Sequence, residues 1–309
     1  MKAGIVGCFH AIVTPFKEEG LRYDHPINYD ALDPYMDRLI KGGCDGVVVC
    51  GSTGSDSVLS HDEQVNLAKY VQEHFGKMTK IIAGDGSNWT KEAIELAQRM
   101  EKEAKIYTHL SICPYKNKPS DRGLTDHYTA IADNTEGEHI LYSVKSRTGG
   151  KGILPHVVQR LAEHPRIIAI KEADGSLEKV RKIIEMTKGM DFLVTSGEDA
   201  QNLEMIKLGA KGTISVAAGP DPYRVSSMIH HALRGEYEIA EKLDRELGPL
   251  YEALFPTSKD TNPSPNPVLC HYALRKIGIP VGVSRLPLTD AEPQEKEYMD
   301  KVLAELKLI

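Results

Sequence analysis

The sequence predicts an α/β fold: a (β/α)8 TIM barrel with a C-terminal helical extension. Short apolar, β-branched runs alternate with helical patterns, eight such runs occur, and the texture changes after Ala218. Strict alternation of this kind implies a parallel sheet with helices on its outer face. Eight repeats suit closure of that sheet into a barrel. The open doubly wound sheet is the competing architecture, but no G-x-G-x-x-G follows the first strand. The expected division places the barrel in residues 1–229 and the helical domain in residues 230–309.

The strands are expected at residues 7–15, 46–50, 80–83, 108–113, 139–144, 167–171, 192–196 and 212–217. Between them, residues 28–41, 61–75, 90–104, 123–133, 155–162, 177–187 and 200–208 carry apolar residues at helical spacing. Ser60, Thr90 and Ser176 precede acidic first turns and are expected as N-caps. Gly42-Gly43 and Gly209 are expected to close helices. Residues 230–254 read as one charged helical stretch. A proline-rich segment with Pro256, Pro263, Pro265 and Pro267 and two more helical stretches follow.

The 309 residues are ample for a large core, with 41% hydrophobic and 27% charged residues. A net charge of −6 without a basic run gives no reason to propose nucleic acid or an anionic membrane as partner. The N-terminal stretch is too interrupted for a signal peptide, and no apolar run is long enough to span a bilayer, so a cytoplasmic location is expected. Cys8, Cys44, Cys50, Cys113 and Cys270 lie far apart with no C-x-x-C pair, which speaks against disulfides and structural zinc. Twelve histidines show no H-E-x-x-H or other metal spacing, and no metal is expected.

Lys171 ends the apolar strand Ile167-Ile-Ala-Ile-Lys171. Burial disfavours an ammonium and pulls its pKa toward neutrality, and a neutral amine attacks a ketone to form a Schiff base. The plain structural alternative is a strand-end lysine that snorkels to water. In a barrel, reactive groups gather at the C-terminal ends of strands. Those ends carry Gly51-Ser-Thr-Gly54, Pro114-Tyr-Lys116, Tyr142-Ser-Val-Lys-Ser-Arg147, Lys171-Glu172 and Ser196-Gly-Glu-Asp199. Hydroxyls and backbone N–H groups suit one carboxylate, the amine a ketone, the phenol proton transfer, and arginine a second carboxylate. The set suits a small oxo-acid.

These motifs resemble the dihydrodipicolinate synthase/N-acetylneuraminate lyase family of class I pyruvate-dependent aldolases. The resemblance runs from Ala11-Ile-Val-Thr-Pro-Phe16 to Arg285-Leu-Pro-Leu288. Gly51-Ser-Thr-Gly54 matches the family's G-[ST]-T-G, Tyr142 with Ser146-Arg-Thr-Gly149 matches Y-N-x-P-S-R-T-G, and Ile170-Lys-Glu-Ala173 matches the lysine strand. The resemblance implies a Schiff base between Lys171 and pyruvate, with no other cofactor. It makes Tyr142 the acid/base, places Ser52 and Thr53 on the pyruvate carboxylate, and adds Thr53 to the proton relay. Arg147 then meets the carboxylate of the second substrate, and Gly197 and Ile214 supply backbone contacts. Arg147 tips that substrate toward L-aspartate 4-semialdehyde, giving 4-hydroxy-tetrahydrodipicolinate on the lysine and diaminopimelate route. The family is usually a homotetramer, a dimer of dimers.

The chain also departs from the pattern. Tyr115-Lys116 stands for the usual Tyr-Tyr pair, whose second tyrosine reaches a neighbouring subunit. Ser143 replaces asparagine, Lys145 replaces proline, and Ser55 replaces glutamate. If Lys116 and Lys145 face the cavity, they favour a more anionic acceptor. Positions that bind allosteric lysine in some relatives match His61, Asn88, Glu92 and Tyr115, with Gln64 where a second histidine is common. A 2-keto-3-deoxy sugar acid aldolase or sialate lyase is the alternative enzyme, and a non-catalytic binding barrel is the alternative from another class.

Overall fold

The computed structural model describes residues 5–256 and 263–309. Strands β1 (Gly7–Ala11), β2 (Gly46–Val49), β3 (Lys80–Gly84), β4 (Thr108–Ile112), β5 (Glu138–Ser143), β6 (Ile167–Glu172), β7 (Leu193–Ser196) and β8 (Gly212–Ser215) pair in parallel, and β8 closes on β1. One face of the strands fills the barrel with Phe9, Val48, Ile82, Leu110, Ile140 and Ile214. The other face turns Val47, Val49, Leu141 and Val194 toward the helices. Burial on both faces explains why these strands are nearly continuous apolar runs.

One irregularity decides the site. His139 lies opposite Ile167, but Ile140 lies opposite Ala169, so Ile168 has no opposite on β5. Because side chains alternate between faces, a one-residue slip exchanges the faces of everything that follows. Tyr142 therefore pairs with Lys171, and both share the inner face of the barrel; in unbroken register Ile170 would stand opposite Tyr142.

The barrel helices are α1 (Leu32–Lys41), α2 (His61–Phe75), α3 (Thr90–Arg99), α4 (Asp121–Asp133), α5 (Pro155–Leu161), α6 (Leu177–Met186), α7 (Asn202–Leu208) and α8 (Pro222–Leu233). Ser60 caps α2 in a capping box with Glu63, and the Ser176 hydroxyl accepts from the Lys179 N–H at 3.2 Å. Thr90 is not a cap: Trp89 occupies that position without a side-chain bond, and the Thr90 hydroxyl meets His127 Nδ1 at 2.9 Å instead. The helix expected to run to residue 104 ends as α-helix at Arg99 and finishes in a π-turn over Met100–Ala104.

Residue 230 lies inside α8, and the stretch expected as one helix from 230 to 254 is broken. Gly235, at φ +78°, turns the chain into α9 (Tyr237–Leu254). Dividing the chain at Gly235 keeps the eighth β/α unit whole. With α10 (Val268–Lys276) and α11 (Pro293–Glu305), α9 packs Leu247, Leu250, Leu269, Leu274 and Val302 into the same core as α1 and α8. The middle of the proline-rich stretch, residues 257–262, lies outside the described residues. Among the described residues no helix is long and apolar enough to cross a membrane.

Candidate active site

The inner-face pairing of β5 and β6 places the Lys171 ammonium nitrogen 4.4 Å from the centre of the Tyr142 ring. Lys171 is 5% exposed, and burial lowers its pKa to about 8, against the opposing pull of the Asp199 carboxylate and with help from Arg147. Burial pushes the Tyr142 phenol up to about 12, so it is a protonated donor at neutral pH. The nearby Ser52 side chain works against that rise.

Ser52 and Thr53 sit in a tight turn after β2 (Ser52–Gly54), flanked by Cys50 and Ser55 at φ +55° and +56°. The two hydroxyls have different partners. Ser52 reaches Tyr142, whereas the buried Thr53 hydroxyl accepts from Asn266 Nδ2 at 3.0 Å. Gly197 follows β7, and a Cβ there would lie 2.7 Å from Lys171 Cε, so only glycine leaves the lysine its place. Ile214 lines the barrel interior on β8.

Arg147 lies on the exposed loop after β5, and its Nη2 donates to the Asn266 carbonyl at 2.8 Å. It lines a cavity of about 440 Å³ with Ser52, Asp56, His61, Glu92 and Tyr115. Lys171 and Tyr142 do not line this cavity; they stay buried. Lys116 and Lys145 do not line it either. Lys145 is about half exposed with its amine 3.9 Å from Asp174, and Lys116 is exposed at φ +67° on a loop. Gln64 also lines the cavity, and His61 Nε2 stands 3.5 Å from Glu92, while the Asn88 carbonyl accepts from Asn117 Nδ2 at 2.5 Å.

Asp56 and Asn266 escape the reading of the sequence, and the task of the strand-end Asp199 is visible only in the fold. Asp56 brings a carboxyl to the cavity, pushed up to about 6 by burial. Asp199 anchors the end of β8 by accepting from the Val216 and Ala217 N–H groups at 2.9 Å each. Asn266 joins Arg147 to Thr53 from within the proline-rich stretch, where no periodicity marks it. Burial raises Cys113 to about 11 and Cys50 well above its usual range, so both are held as protonated thiols. Among the described residues no cluster of His, Cys, Asp and Glu could hold a metal ion.

A closed parallel barrel with C-terminal helices and a buried, low-pKa lysine at the strand ends defines a class I aldolase-type lyase. The chain belongs to the dihydrodipicolinate synthetase family, whose model matches residues 4–306. It is 40% identical over 301 residues to the 4-hydroxy-tetrahydrodipicolinate synthase of Haloarcula marismortui, covering 97% of this chain and 94% of the relative. The structure of the 4-hydroxy-tetrahydrodipicolinate synthase of Methylacidiphilum fumariolicum superposes with a TM-score of 0.90 at 35% identity, covering 98% and 96% of the two chains. The chloride-inhibited dihydrodipicolinate synthase of Acinetobacter baumannii, complexed with pyruvate, superposes with a TM-score of 0.91 at 33% identity over 99% and 100%.

Proposed function

We propose that this protein condenses pyruvate with L-aspartate 4-semialdehyde to form 4-hydroxy-tetrahydrodipicolinate, the step named for its relatives, and that Lys171 carries the reaction as a Schiff base. The observation that carries the reading is the Lys171 amine, buried and low in pKa, against the Tyr142 ring. The neutral amine attacks the pyruvate ketone, and water leaves as the iminium forms. Tyr142 donates a proton to the departing oxygen, and the Thr53 and Ser52 hydroxyls pass protons to and from the phenol. Loss of a methyl proton gives the enamine, whose carbon attacks the aldehyde. The amino group of the second substrate then displaces Lys171, closing the ring and freeing the enzyme.

Ser52, Thr53 and the N–H groups of their turn hold the pyruvate carboxylate, while Arg147 holds the carboxylate of the aldehyde. Gly197 and Ile214 contribute backbone to the pyruvate pocket. No cofactor beyond the covalent adduct is required. The assembly is a homotetramer, the state that the family resemblance implies, which light scattering would test.

Borohydride reduction in the presence of pyruvate tests the chemistry. Labelling of Lys171 is expected, and failure to label it ends the proposal. Turnover of pyruvate with aspartate semialdehyde, set against cleavage of 2-keto-3-deoxygluconate and sialate, tests the second substrate.

A further inference from the structure

The loop that carries Arg147 leaves β5 after Ser143 and runs toward α5, and both of its ends meet one carboxylate. Asp174 accepts from the Lys145 N–H at 2.6 Å and from the Ser143 hydroxyl at 3.0 Å on the outgoing side. On the returning side the Ile153 N–H donates to the Ser143 oxygen at 3.1 Å. Gly152 presses so closely that a Cβ would stand 2.4 Å from Asp174 Oδ2 and 3.1 Å from the Ser143 oxygen. Asp174 is held in turn from α6: the buried Lys179 ammonium pairs with it, donates to Ser143 at 2.9 Å, and lies 2.7 Å from Glu172 Oε2. Glu172 Oε1 accepts the Asp174 N–H at 2.8 Å, closing the network beside Lys171.

Within the loop, the Arg147 N–H donates to the Val144 carbonyl at 3.1 Å and the Gly150 N–H to the Lys145 carbonyl at 3.0 Å. The arginine thus rides on a compact turn fastened at its base. Ser143 and Lys145 are the two positions where the chain lacks the asparagine and proline of the resembling motif. A proline at 145 would have no N–H to give Asp174, so the tether and the proline are alternative ways of stiffening the same backbone.

We infer that Asp174, clamped by Lys179, is a positioning residue that fixes the Arg147 loop and so sets affinity for the second, carboxylate-bearing substrate rather than Schiff-base formation. The inference rests on the reading of Arg147 given above. A misplacement of about 1 Å in such a loop is enough to cost a bound group much of its contribution.

The test combines steady-state kinetics with amide hydrogen exchange of residues 144–153 in Asp174→Ala. The KM for aspartate semialdehyde should rise at least about tenfold, while pyruvate KM and the yield of reduced Lys171 adduct stay within about twofold. Exchange across the loop should accelerate. A parallel rise in pyruvate KM, or an unchanged aldehyde KM, would overturn the inference. Should Asp174→Ala fail to fold, Gly152→Ala drives a Cβ against the same carboxylate from the loop side and must show the same split. If the unaltered protein does not turn over aspartate semialdehyde, the substrate reading alone falls. The tether is then judged by exchange, and an unchanged rate in either variant overturns it.

Discussion

Replacing Lys171 by Met should abolish activity and at the same time stabilise the protein at neutral pH. Burial lowers the pKa of this amine from 10.5 to about 8, which corresponds to about 3 kcal/mol against keeping the ammonium in the folded state. The sign follows from proton counts. Below pH 8 both folded and unfolded chains carry the proton, and the fold bears the full cost. Between pH 8 and 10.5 the folded amine is neutral while the unfolded one keeps its proton, so stability rises with pH and the cost fades. Methionine fills a similar volume without a charge. Its gain should approach about 3 kcal/mol at pH 7 as an upper bound and shrink toward zero near pH 10.5. Urea unfolding of both proteins at matched concentration across this range measures it. A gain that does not vary with pH, or a loss of stability at pH 7, would refute the claim that desolvation of Lys171 sets its reactivity.

Tyr142→Phe and Ser52→Ala should each lower kcat by about a hundredfold while pyruvate remains trappable on Lys171, measured by turnover beside borohydride labelling. Thr53→Ala, which also frees the Asn266 amide, should raise pyruvate KM and lower kcat, measured by steady-state kinetics. Arg147→Ala should raise the KM for aspartate semialdehyde by about tenfold or more with the rate of pyruvate adduct formation unchanged. Lys179→Met leaves Glu172 and Asp174 facing each other without a cation, and should destabilise the fold by about 3–5 kcal/mol in denaturant unfolding.

Much of the architecture is legible because local physics and global fold agree. Strands buried on both faces are apolar over most of their length, so β2, β3 and β6 declare themselves without any knowledge of their neighbours. Ser60 declares α2 because a capping box needs only residues three apart. Boundaries that depend on tertiary partners are harder. Trp89 rather than Thr90 takes the N-cap position of α3, without a capping bond, while the Thr90 hydroxyl meets His127 on α4. Ser52 and Thr53, adjacent hydroxyls of the same kind, cannot be told apart until Tyr142 and Asn266 arrive from other parts of the chain.

What the amino-acid order determined by itself is the alternation of elements, the barrel, and a lysine at a strand end within a recognisable set of motifs. Each follows from periodicity, capping and residue chemistry over short spans. Only the tertiary structure decided which way Lys171 points. The unpaired Ile168 shifts β6 by one residue against β5 and turns Lys171 to the side of Tyr142, and side-chain facing in a sheet is a property of register between strands. The tertiary structure likewise decided that Lys145 contributes its backbone N–H to Asp174 while its amine stays largely outside, since a tether across two loops needs both loops in place.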